Sequence, residues 1–142
     1  MYGNTAAMIA RFGDTEIIRL SQIEDRETEE VNSARVEFAL NDASAMIDSY
    51  LRGRYLVPVQ QPPADLVRAA CIIARYDLAK SGRSGPTETM AEEFKGVIKW
   101  LQDVQKGIAQ LDAPKAGLAG ESSGSRFSDR EPIFTPDNLR WS

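Results

Sequence analysis

VNSARVEFALNDASAMIDSYLRGRYLVPVQQPPADLVRAACIIARY, residues 31–76, holds two helix-patterned runs joined by a proline-punctuated crossing. In the first run Val36, Ala39, Leu40, Ala43, Ile47, Tyr50 and Leu51 recur at three- and four-residue steps, which lays them along one stripe of a helix. Gly53 follows the last of them and is placed to supply a left-handed cap, so the helix is predicted to stop near Arg52. From Arg54 to Pro63 the chain reads as extended, because each proline fixes its own φ and pushes the preceding residue out of helical geometry. Pro63 is placed to open the next helix as its first residue.

That next helix, Ala64 to about Lys80, locates the core. Leu66, Ala69, Ala70, Ile73 and Tyr76 form its main stripe; Val67, Cys71, Ala74 and Leu78 widen it until only Arg68 and Arg75 keep a polar side. A helix this apolar is surrounded by other helices. Each large side chain it buries contributes roughly 1.5–3 kcal/mol, so this segment is expected to dominate stability. The same wheel places Asp77 beside Leu66, Ala70 and Ile73. A carboxylate buried there unpaired would be costly, which predicts an Arg partner, Arg11 or Arg54, in a structural role.

Working outward, Thr5 is placed to cap a short helix over Ala6 to Phe12, Gly13 to break it, and Asp14 to cap a second short segment packed through Ile17, Ile18 and Leu20. These two turns read as a lid over the larger helices. On the far side of the core, Thr87 caps a last long helix with Glu88 in its first turn; Met90, Phe94, Val97, Ile98, Leu101 and Val104 make its stripe and Gly107 ends it. Ile108 and Leu111 are expected to close the domain. The fold class is all-α: a small bundle of three main helices plus short N-terminal helices, over residues 1–111. Residues 112–125 are rich in Gly, Ser, Ala and Pro and read as a flexible linker, which as a coil of 14 residues spans about 20 Å. Residues 126–142 regain aromatic weight with Phe127, Phe134, Leu139 and Trp141, and read as an extended docking arm that orders on a partner.

Composition narrows the function. A length of 142 residues fits one domain, and 42% hydrophobic with 27% charged residues is ordinary for a globular chain. No apolar run approaches the roughly 20 residues that span a bilayer, so no membrane contact is expected. The first residues lack a basic stretch followed by an apolar one, which predicts a cytoplasmic rather than a secreted protein. With no histidine, the commonest general base and metal ligand is absent. The single cysteine, Cys71, excludes an internal disulfide and reads as an inert core residue. Asp42 and Asp48 lie on different helix faces and form no acid–base pair. The run Glu24 to Glu30, five acids and one Arg, lacks the Asp/Asn alternation and turn glycine of a calcium loop and reads as a solvated approach to the long helix. No phosphate loop, zinc spacing or dinucleotide fingerprint is present. These observations predict no catalytic residues, no metal and no cofactor. The net charge of −4 also lacks the excess of base expected of a phosphate-binding domain.

What the pattern does offer is surface for other proteins. Phe38 points away from the core stripe of the long helix, in line with Ala45 and Arg52, and marks a candidate subunit contact. Trp100, on the edge of the last stripe, fits an interface or partial burial equally well.

A family likeness rests on Met8-Ile9-Ala10-Arg11-Phe12-Gly13, on Ala39-Leu40-Asn41-Asp42-Ala43 followed by Ile47-Asp48-Ser49-Tyr50-Leu51, on Arg54-Tyr55 with Pro58, on Ala74-Arg75-Tyr76 with Leu78, and on Arg126-Phe127-Ser128 with Leu139. In their order and spacing these resemble the head-tail connector (adaptor or head-completion) proteins of Mu-like tailed phages and prophages. The resemblance implies a small helical subunit without enzymatic activity that forms a ring of twelve copies between the portal and the tail. Its implied partners are further copies of itself, the portal protein and a tail terminator or other tail-completion protein, with DNA passing through the channel without sequence-specific binding. The implied location is the head-tail interface of the virion, with assembly in the host cytoplasm. The competing expectation is a small helical DNA-packaging or regulatory DNA-binding subunit, for which Arg68 and Arg75 would supply the basic face.

Overall fold

A computed structural model describes residues 1–22, 29–82 and 84–117. Five helices follow in order, α1 (Thr5–Phe12), α2 (Asp14–Ser21), α3 (Ser33–Leu51), α4 (Ala64–Lys80) and α5 (Glu88–Lys106), and the fold is all-α. Helices α3, α4 and α5 form a bundle in which α3 and α4 share the most extensive contact; the α1–α2 pair lies across α3 and α4. The core is where the apolar stripes put it: Val36, Leu40, Ala43, Ile47 and Leu51 from α3, Leu66, Ala70, Cys71, Ile73 and Ala74 from α4, and Leu101 and Val104 from α5 are all completely buried. Tyr76 of α4 and Phe94 of α5 stack at 4.2 Å between ring centroids, which fixes the spacing of those two helices.

The local end signals divide into those that act as expected and those displaced by a neighbour. Thr87 caps α5, its side chain accepting the N–H of Met90 at 3.2 Å. Gly107 ends α5 in the left-handed region at φ 84°, and the guanidinium of Arg54 lies 2.9 Å from where a Cβ would stand. Asn4 rather than Thr5 caps α1, accepting the N–H of Ala7 at 2.8 Å, while the Thr5 hydroxyl is shielded without a partner. Gly13, not Asp14, is the cap residue of α2, and Pro63 stands one place before α4 rather than inside it. At the end of α3 the cap Arg52 stays right-handed, and Gly53 takes no positive φ. The N–H groups of Arg54 and Tyr55 both donate to the Leu51 carbonyl, at 2.9 and 2.8 Å, so the chain turns without a left-handed residue.

Three expectations change. Ile108 is 71% exposed while Leu111 is buried, so only Leu111 closes the core. Arg75 is no polar flank of α4 but is sunk among α1, α2 and α5. Residues 114–116, read as the start of a tether, pair with the crossing: Leu56 donates to the Pro114 carbonyl and Ala116 to the Arg54 carbonyl, each at 2.9 Å. The Tyr55–Lys115 bridge between these segments is the only strand pairing among the described residues.

Candidate functional site

The α3 periodicity that buries Val36 and Ile47 turns Phe38, Ala45 and Arg52, seven residues apart, to the opposite side, and all three are exposed. Phe38 is open by 69% of its surface, a large apolar area to leave in water. It lies in a groove between the first half of α3 and the end of α4, whose walls include Arg35, Asp42, Asp77 and Lys80. Trp100 stands on α5, half-buried against the core, and does not share that row. Phe127, Phe134, Leu139 and Trp141, the expected docking residues of the arm, lie outside the described residues.

Asp77 is half-buried, as its place on the wheel predicts, but the expected Arg partner is not there. Among the described residues it makes no ion pair with either candidate. Arg54 donates instead to the carbonyls of Gln105 and Lys106, the last turn of α5, at 2.7 and 3.1 Å, and Arg11 lies beside Cys71. Burial pushes the Asp77 carboxyl above its ordinary range; Lys80 draws it down and Asp42 pushes it up again. Two acids, the bases Arg35 and Lys80 and an aromatic ring therefore share one groove, and among the described residues no ion pair joins the four charges. Cys71 is completely buried; burial pushes its thiol up and the charge of Arg11 partly offsets this, which leaves it a poor nucleophile.

Two clusters escape sequence reasoning. Arg75 donates to Glu16 of α2 at 3.1 Å and to Glu93 of α5, with its guanidinium carbon 4.1 Å from the centre of the Phe12 ring of α1. One side chain thus ties four helices together. Tyr2 is fully buried: its hydroxyl donates to Asp48 and accepts the N–H of Val59 at 2.9 Å, and its own N–H donates to the Ser44 hydroxyl at 2.9 Å. Burial and the Asp48 hydrogen bond push the Tyr2 hydroxyl up to about 12. The partners lie 42 to 57 residues away in sequence, so no local pattern could have revealed them.

Among the described residues no helix is long and apolar enough to cross a membrane, and no group of three or more metal-ligating side chains converges. The described residues form an all-α fold with a groove that holds one exposed aromatic ring, two acids and two bases, and similarity assigns the chain to a class. Residues 2–129 match the family described as Bacteriophage Mu, Gp36, and the chain belongs to that family of phage proteins. Over 111 residues it is 34% identical to the Mu-like prophage FluMu protein gp36 of Haemophilus influenzae, covering 78% of this chain and 75% of that protein. Over 76 residues it is 37% identical to Gene product J of Escherichia phage Mu, covering 54% of this chain and 52% of that protein.

Proposed function

We propose that this chain is a structural virion protein of the head-tail connector kind, without catalytic activity. It forms a ring of twelve copies between portal and tail, completes the head, and extends the DNA channel. The observation that carries this reading is the match over residues 2–129 to a family of Mu-like phage proteins. The exposed Phe38 groove supports it, because an aromatic side chain left in water beside half-buried charge is what a protein contact would cover. The DNA-binding alternative loses ground: Arg75 is engaged by Glu16 and Glu93, which leaves Arg68 alone on the supposed basic face. A ring of twelve carries a formal charge of 12 × −4 = −48, which favours sliding of DNA over holding it.

Light scattering on a sizing column tests the reading, since twelve 15.7 kDa chains weigh 12 × 15.7, about 188 kDa. Tight duplex binding at physiological salt would support the DNA-binding subunit instead. The arm over residues 126–142 is assigned to a neighbouring copy or the portal. Truncation after Gly117, which keeps the pairing of residues 114–116, is expected to leave the melting temperature unchanged while heads fail to join tails. Normal joining would make the arm dispensable.

A further inference from the structure

The groove beside Phe38 is neutral as a whole but not along its length. Arg35, Phe38 and Asp42 follow one another at steps of three and four residues on one side of α3. Base and acid therefore lie about 10 Å apart along the helix, with the ring between them. On the other wall α4 runs against α3: Asn32 and Ser81 share one end of the groove, and Asp77 lies within the field of Asp42 toward the other. Asp77 thus adds to the acidic end, and Lys80, a turn further along α4, lies beyond it on the Arg35 side. Glu37, also exposed, is turned well away from this row. Among the described residues no ion pair joins any of the four groove charges, and the Arg35 Nε is shielded from solvent without an acceptor. Ala34 and Ala45, exposed on the same back of α3, leave room for another backbone to come close.

The order base, ring, acid is complementary to itself when it is reversed. In a two-fold contact, residue i of one copy meets j of the other and j meets i. We infer that two copies of this chain pair antiparallel through the backs of their α3 helices, Arg35 of each against Asp42 of the other and the two Phe38 rings covering one another between them. A lone exposed apolar residue needs no explanation; here the ring is framed by unpaired charges of both signs. An occupant carrying only acids or only bases would leave one end of the groove unanswered, whereas a reversed second copy answers both. A contact of this symmetry closes at two copies, so it is not the one that repeats around a ring. It belongs to the free protein, where it keeps Phe38 covered before assembly, and it does not rest on the ring reading.

The test follows the full chain by light scattering over a dilution series, with Arg35→Glu, Asp42→Arg, both changes in one chain, and Phe38→Asp. All three positions lie on the outer side of α3, and the melting temperature is expected to hold. Below the concentration at which a ring persists, wild type is expected at 2 × 15.7, about 31 kDa. Each single charge variant sets like charges together at both ends and is expected at the 15.7 kDa monomer mass, as is Phe38→Asp. The double variant restores both pairs with their signs exchanged and is expected to return to the dimer. An equal mixture of the two single charge variants is expected to do the same, as one copy of each. Dilution that takes the ring mass straight to 15.7 kDa overturns the pairing while the ring stands. A dimer that the single charge variants leave intact overturns it, since its contact then lies elsewhere. A dimer that they break and the double variant does not restore overturns it in favour of a head-to-tail contact. Wild-type protein that is dimeric at every concentration, with the rescue, upholds the pairing and removes a ring formed unaided. Wild-type protein that is monomeric at every concentration overturns both.

Discussion

Arg75 and Asp77 stand two residues apart on α4, on sides of the helix that the fold treats in opposite ways. The Arg75 side faces α1, α2 and α5 and supplies two carboxylates and an aromatic face for one guanidinium. The Asp77 side faces α3 across an open groove and supplies Lys80 at partial range together with a second acid, Asp42. The expectation from sequence had these reversed, with a free Arg and a paired Asp. The difference teaches that a helical wheel sets how deep a charge lies, whereas its partners come from segments distant in sequence. Settled charge marks the inside of the fold; unsettled charge marks its open surface.

The largest expected effect that would break this comparison is at Arg75. Arg75→Ala leaves Glu16 and Glu93 unpaired and uncovers Phe12. A fully buried pair broken in this way costs about 3–5 kcal/mol, and since Glu93 is 38% exposed the expected loss here is about 2–3 kcal/mol, read from the urea midpoint. A loss no greater than that of an ordinary surface substitution would mean that the two sides of α4 do not differ. Next comes Tyr2→Phe, which strands the Val59 N–H and is expected to cost about 1–2 kcal/mol. The tyrosine also predicts a pH dependence. A hydroxyl pushed from 10.0 to about 12 keeps its proton better folded than unfolded, so stability holds below pH 10 and falls as pH rises through 12. The Phe variant should lose that fall.

The smallest effect sharpens the other side. The Asp77 carboxyl titrates above its ordinary 3.8 in the fold, so the folded chain binds the proton more tightly, and stability declines as pH rises from there through the raised value. Asp77→Asn removes the decline and is expected to stabilise the monomer at neutral pH by up to about 0.5 kcal/mol, a small figure because the group is half open to solvent. Thermal melts at pH 3 and pH 7 would show it. An Asn variant less stable than wild type at pH 7 would mean that Asp77 has a favourable partner after all.

The helices were legible because their information is local. The stripes of α3, α4 and α5 and the Thr87 and Gly107 signals lie within a few residues of what they specify. The caps at Asn4 and Gly13 were each misplaced by one residue, since adjacent positions there carry similar capping chemistry. Gly53 misled because a glycine permits a left-handed turn without requiring one, and the Leu51 carbonyl found two amides ahead of it instead. Phe38, Ala45 and Arg52 were visible as one exposed row, because the periodicity that buries one face exposes the other. The groove beside Phe38 was not: it needs the end of α4 laid against the start of α3, and nothing within either segment announces that pairing.

The burial of Tyr2 also orders events on the ribosome. The residue emerges 57 positions ahead of Val59, whose amide its hydroxyl accepts. At roughly 5–20 residues per second, that is a wait of about 3–11 s during which the slot for Tyr2 is incomplete. Helix α1 can form early from its own cap, but it can be moored only after the crossing beyond α3 has been made. The segment translated earlier is therefore fastened late, and a chain halted before Val59 lacks the amide that the Tyr2 hydroxyl accepts.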